Sequence, residues 1–190
     1  MMYNKMKMDE VIDLLIEESI KWIKQQRNNY ISQAVSLNPK EKELLRKWFN
    51  PHTINSARVK TVPLIENPSF YEKVARMELY GLPDMTQMEA FTFGDVIVVA
   101  QKYKPAMDSM LWHSLLFHEL VRASAFRILG VNKFVEFYIN DWMKSGFSFE
   151  MISLEVVAGQ FQKRFENYHD ITFSVEEELR EYIKDLYRNQ

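Results

Sequence analysis

The sequence predicts an α+β fold, mostly helical, with a small sheet between two helical stretches. Three observations carry this. Apolar residues recur at helical spacing through long runs on either side of the middle of the chain. The middle holds one hairpin pattern: Ala90-Phe91-Thr92-Phe93, a Gly94-Asp95 turn, then Val96-Ile97-Val98-Val99-Ala100. Among 190 residues there are only 5 glycines against 13 Phe, 9 Tyr and 4 Trp, which suits a well-filled helical core.

Residues 8–35 read as one amphipathic helix, with Val11, Leu14, Leu15, Trp22 and Ile23 at helical spacing. Asn38-Pro39-Lys40-Glu41 starts a second helix, with Asn38 as cap, proline in the first turn and a glutamate placed for a capping box. It should run to about Phe49. Residues 50–67 carry few helix signals, and the alternation from Arg58 to Leu64 predicts a strand. Asn67-Pro68 opens a short helix through Phe70, Tyr71, Val74 and Met77 that stops near Gly81-Leu82-Pro83. After the hairpin, one helix is expected from Asp108 to Leu129, stopped by Gly130, and another from Asn132 to Ser145, stopped by Gly146. A third spans Leu154 to Asn167. Ser174 and Glu177 form a capping box for a last helix through Tyr187. No repeat or long linker divides the chain. Residues 1–55 read as an N-terminal helical region and 56–190 as the main domain, together one unit.

Lysine and arginine total 24 and aspartate and glutamate 26, a net charge of −2 that argues against nucleic acid as a partner. With no cysteine there is no disulfide, thiolate metal site or cysteine nucleophile. The N-terminus interleaves Val11, Ile12, Leu14, Leu15 and Ile16 with Asp9, Glu10, Asp13, Glu17 and Glu18, which is not the form of a signal peptide. No apolar run is long enough to predict a spanning helix. A cytoplasmic protein is the expectation, with signal-less export as the alternative. The oligomeric state is left open.

The chemistry concentrates between Leu111 and Phe126. At about 100° per residue, Ser114, His118 and Arg122 form one stripe with Glu119 beside it. His113, Ser124 and Arg127 fall roughly opposite. The rest of the helix is apolar, so the polar stripe is expected to be buried, and buried charge must be paired or ligated. The plainer alternative is a solvent-facing stripe with an i,i+3 pair between Glu119 and Arg122, contributing about 0.2–0.5 kcal/mol.

Several blocks in order resemble a bacterial zinc metallopeptidase family of gluzincin arrangement. They are Asn67-Pro68-Ser69-Phe70-Tyr71, Phe91-Thr92-Phe93-Gly94-Asp95-Val96-Ile97-Val98, Leu115-Leu116-Phe117-His118-Glu119-Leu120-Val121, Leu129-Gly130-Val131 with Phe134, and Leu154-Glu155-Val156-Val157-Ala158. The likeness covers about half the chain. It implies a zincin-like fold with His118 as metal ligand, Glu119 as general base and Glu155 as a further ligand. Ala158 would let the two helices approach closely enough for Glu155 to reach the metal.

One residue departs from that pattern. Where the family has a second histidine, this chain has Arg122, whose guanidinium keeps its proton and offers no lone pair. Catalytic zinc normally takes three protein ligands and a water. The expectation is therefore a metallopeptidase-like protein with a degenerate site, catalytically silent and without a cofactor. In it Arg122 replaces the metal cation by forking between Glu119 and Glu155, and a cleft retains peptide or protein binding. One alternative is an active zinc hydrolase using His118, Glu155 and a third ligand, for which the loop residues His52 and His169 are the candidates, since His113 points the other way around the helix. Another is a purely structural or interaction module. Phe91, Phe93, Val96 and Val98 are the candidate substrate strand, against the reading of a buried structural hairpin. Tyr138 and Trp142 read as packing residues. The first helix reads as a lid, a dimer seam or a packed layer.

Overall fold

In a computed structural model of the chain, which describes residues 2–79, 81–106, 108–167 and 172–188, the predicted hairpin belongs to a four-stranded sheet. The strands are β1 (Val35–Ser36), β2 (Arg58–Val62), β3 (Ala90–Phe93) and β4 (Val96–Ala100), in the order β1-β2-β4-β3. β3 and β4 pair antiparallel across Gly94 and Asp95, with Phe93 opposite Val96. Gly94 takes φ 71°, a region open to glycine at no steric cost. β2 runs parallel to β4, from Arg58 opposite Val96 to Val62 opposite Ala100. β4 is therefore an interior strand, and all five of its residues are buried. Burial of both faces explains why it is apolar throughout instead of alternating.

Seven helices surround the sheet among the described residues: α1 (Met2–Ile31), α2 (Pro39–Leu45), α3 (Pro51–Ser56), α4 (Tyr71–Ala75), α5 (Met110–Lys144), α6 (Ser153–Asn167) and α7 (Val175–Arg188). The architecture is thus mixed α and β, mostly helical. Asn38 forms the expected capping box on α2, its Oδ1 accepting from the Glu41 N–H at 2.9 Å. α3 lies where the sequence offers little periodicity. Asn50 caps it in the same way as Asn38, accepting from the Thr53 N–H at 2.9 Å, and Pro51 opens its first turn. The first helix ends at Ile31, short of the expected 35, and Val35 pairs instead with Val59 as the start of the sheet.

α1 packs on α5 and on β3 and β4. Val11, Leu15 and Ile23 are buried, at helical spacing. Trp22 meets Phe91 and Phe93 with ring centroids 5.6 and 5.0 Å apart. Arg27 donates to both carboxylate oxygens of Asp95 in the hairpin turn, at 2.6 and 2.9 Å. The helix is therefore a packed layer over the outer strand.

α5 is capped by Ser109, whose Oγ accepts from the Trp112 N–H at 3.1 Å. It breaks at Gly130, where φ is 73° and ψ 157°, so two helical halves meet at the position predicted for a stop. The second half carries Tyr138 back toward the start of α6. No described helix is long and apolar enough to cross a membrane.

Candidate functional site

α5 and α6 lie against each other with their chain directions opposed, and their polar stripes meet rung by rung. On α5 the rungs are Arg122, His118 and Ser114; on α6 they are Glu155, Gln162 and Glu166. Arg122 Nη2 donates to Glu155 Oε2. His118 lies between Glu155, with Nε2 3.5 Å from Oε2, and Gln162, with Nδ1 2.9 Å from Oε1. Gln162 Nε2 donates to Ser114 Oγ at 2.7 Å and to Glu166 Oε1 at 3.2 Å, while the Ser114 hydroxyl donates to Glu166. Ala158, fully buried on α6, presents no side-chain bulk to oppose this approach.

Glu119 faces the sheet. Its Oε2 accepts the Thr92 hydroxyl at 2.6 Å, and Arg122 Nη1 reaches its carboxylate at 3.3 Å. One guanidinium thus bridges two carboxylates, one toward β3 and one toward α6. Tyr138 completes the cluster by donating its hydroxyl to Glu155 Oε1 at 2.8 Å. Glu119, Arg122 and Glu155 are only 3 %, 9 % and 9 % exposed, so the charges stand or fall by these contacts.

Electrostatics follow from that placement. Burial works against the charged form of Glu155, but the Arg122 guanidinium and then His118 outweigh it and hold the carboxyl down at about 2. Burial also opposes the charge on Arg122. Glu119 and Glu155 reverse this and raise its pKa, so it stays a cation. Burial, followed by the Glu155 charge, pushes the Tyr138 hydroxyl well up, so it stays a donor.

Because the Gln162 amide nitrogen is engaged by Ser114 and Glu166, its oxygen faces His118 and accepts from Nδ1–H. His118 Nε2 faces Glu155 Oε2 at 3.5 Å and helps hold that carboxyl down, which a bare lone pair there would not do. A metal-ligating histidine is held in just this way, by a hydrogen bond at its other nitrogen. The remaining donors do not suit zinc. Glu155 Oε2, the oxygen nearest His118 Nε2, is taken by Arg122, and Glu119 is held between Thr92 and the same guanidinium. Among the described residues no group of three or more histidine, aspartate or glutamate side chains is arranged to hold a metal ion. His52 lines a different groove, with Arg27 and Arg127. His113 Nε2 is buried with no hydrogen-bond partner among the described residues, on the part of the helix the sequence placed away from the stripe. His169 lies outside the described residues.

Beside the cluster is a cleft of about 100 Å³. Trp22, Phe91, Phe134 and Phe149 are among its apolar walls, and Thr92, Arg122, Tyr138 and Glu155 supply polar groups. β3 is an edge strand, at the end of the sheet opposite β1. The register Phe93 to Val96, with Ala100 N–H donating to Glu89 O at 2.9 Å, directs the backbone N–H and C=O of Ala90 and Thr92 away from β4. The candidate substrate strand therefore needs correction. Val96 and Val98 lie on β4, which is already paired on both sides, so they cannot take up another strand. Phe93 is 1 % exposed beneath Trp22 and Tyr30. Phe91 alone of the four lines the cleft.

Sequence reasoning took Tyr138 for a packing residue, which its hydrogen bond to Glu155 corrects, and passed over Thr92, Gln162 and Glu166 as site residues. Gln162 sits two helical turns beyond Glu155 on the same face, a spacing that could have marked it. No family model matches the chain, and no curated protein or solved structure matches it.

Proposed function

We propose that this chain is a zincin-like protein whose metal position has been taken over by an arginine, leaving a catalytically silent module that binds an extended peptide or protein segment. The observation that carries the reading is the Arg122 guanidinium bridging Glu119 and Glu155, the two carboxylates that the resemblance assigns to base and ligand. The helix–helix ladder holding His118 between Gln162 and Glu155, and the sheet edge beside Glu119, support a scaffold of that kind. The guanidinium supplies positive charge but no coordination position, so it cannot deliver an activated water. Glu119, hydrogen-bonded to Thr92 and Arg122, then has no nucleophile to generate.

Binding is favoured over a filled, purely structural core by the cleft itself. It sets apolar walls, Phe91 among them, beside the polar groups of Thr92, Arg122 and Tyr138, a combination suited to a segment that carries a large apolar side chain. The test is a fluorescence titration of the full chain with a library of short extended peptides, using Trp22 as reporter, followed by mass spectrometry of the mixtures after incubation with zinc. Saturable binding of peptides bearing a bulky apolar residue, with no cleavage, is expected. Chelator-sensitive cleavage would establish the alternative, an active zinc hydrolase. Absence of any saturable binding would favour the structural module.

A further inference from the structure

A second groove lies away from the Arg122 cluster, where α3, the β3–β4 turn, α1 and the break in α5 meet. Its volume is about 270 Å³, far above the roughly 10–15 Å³ that a single water needs. Arg27, His52, Thr53, Asp95 and Arg127 contribute its polar lining.

We propose that this groove binds a tetrahedral oxyanion of the phosphate class, free or as a monoester. Arg127 is the central residue. Its Nη1 donates to Asn50 Oδ1 at 2.8 Å and Thr53 Oγ1 at 3.2 Å. Both acceptors are neutral, so the guanidinium is fixed in place without being neutralised by a direct partner. The acceptors are themselves anchored: Glu176, 3 % exposed, accepts from the Asn50 N–H at 3.1 Å and the Thr53 hydroxyl at 2.7 Å. Glu176 lies behind Thr53 and is not part of the groove wall. A rigid base therefore holds a cation with donors to spare.

Arg27 comes from the opposite wall. Its Nε and Nη2 hold both oxygens of Asp95, which leaves Nη1 available and occupies the one carboxylate in the lining. The lining thus presents two guanidiniums and one carboxylate, that of Asp95, which Arg27 occupies, while the Glu176 carboxylate behind Thr53 is taken up by the Thr53 hydroxyl and the Asn50 N–H. Planar forks approaching from separate elements suit an acceptor with several oxygens in a tetrahedral array, and guanidinium is the side chain best matched to it. No zinc chemistry is involved, and the site does not depend on the reading of the Arg122 cluster.

The experiment is isothermal titration of the full chain at low salt with inorganic phosphate and, separately, with phenyl phosphate. Saturable one-to-one binding is expected for at least one of them. Arg127→Gln should weaken it at least about tenfold, because charge-assisted hydrogen bonds are lost. His52→Asn, a change on the exposed side of α3, should weaken it less and keeps the test open if Arg127→Gln fails to fold. Equal affinities would define a site for the free ion; tighter phenyl phosphate would show the groove accepting a monoester. No saturation with either probe, or affinities unchanged in the folded variants, would overturn the proposal.

Discussion

Replacing Arg122 with methionine removes the charge while keeping much of the side-chain volume. It leaves Glu119 and Glu155, 3 % and 9 % exposed, without their cation. Removing one partner from a buried ion pair costs about 3–5 kcal/mol because the remaining charge stays desolvated. For a chain of this size that corresponds to a fall in melting temperature on the order of 10 °C. The pH dependence should also reverse. In the native protein Glu155 is held at about 2 against an ordinary 4.5, so it contributes stability that is fully present above 4.5 and lost as pH falls toward 2. That contribution is about 3 kcal/mol. In the variant, burial without the guanidinium raises the Glu155 pKa above its unfolded value. Stability is then greatest in acid and lost as pH rises through the new pKa. Urea midpoints of both proteins from pH 2 to 8 would read this out. Equal stability at neutral pH, with the same acid limb in both, would refute the claim that Arg122 neutralises a buried acidic pair.

Two further changes probe the surroundings of that pair. Tyr138→Phe removes the hydroxyl donated to Glu155 at 2.8 Å, and should cost about 1–2 kcal/mol in urea unfolding while moving the acid limb to higher pH. Gly130→Ala places a Cβ in open space but at φ 73° and ψ 157°, a region essentially confined to glycine, so its cost should be conformational, about 1–3 kcal/mol in the same assay. A neutral or stabilising result for the alanine would mean the break in α5 is not imposed at Gly130.

The helices most legible in the sequence are those with both periodicity and caps. Asn38-Pro39 with Glu41 marked α2, and the same Asn-Pro start stands at Asn50-Pro51, but α3 is too short for an apolar repeat to reinforce it. The hairpin was legible from Gly94-Asp95 and the flanking runs. The parallel pairing of β2 with β4 was not, because nothing local in Arg58–Val62 names a partner distant in the chain. That pairing makes β4 an interior strand and removes Val96 and Val98 from any docking edge. At the site, the stripe of Ser114, His118 and Arg122 was readable from helical spacing alone, and Glu155 only with the family pattern beside it. Tyr138 could not be assigned to Glu155 from spacing, since its approach depends on how α5 redirects at Gly130 and on the packing of α6. Thr92 likewise reaches Glu119 only after the sheet and α5 have come together.

Zinc titration of the purified, tag-free chain beside its Arg122→His and Arg122→His/Glu155→Gln variants tests the central claim most directly. If an arginine stands where a zincin-like scaffold would carry its cation, the native chain should take up no stoichiometric zinc. The single variant should then bind one equivalent, and the double variant should lose it. Stoichiometric zinc in the native chain, or none in a folded Arg122→His variant, would contradict the account.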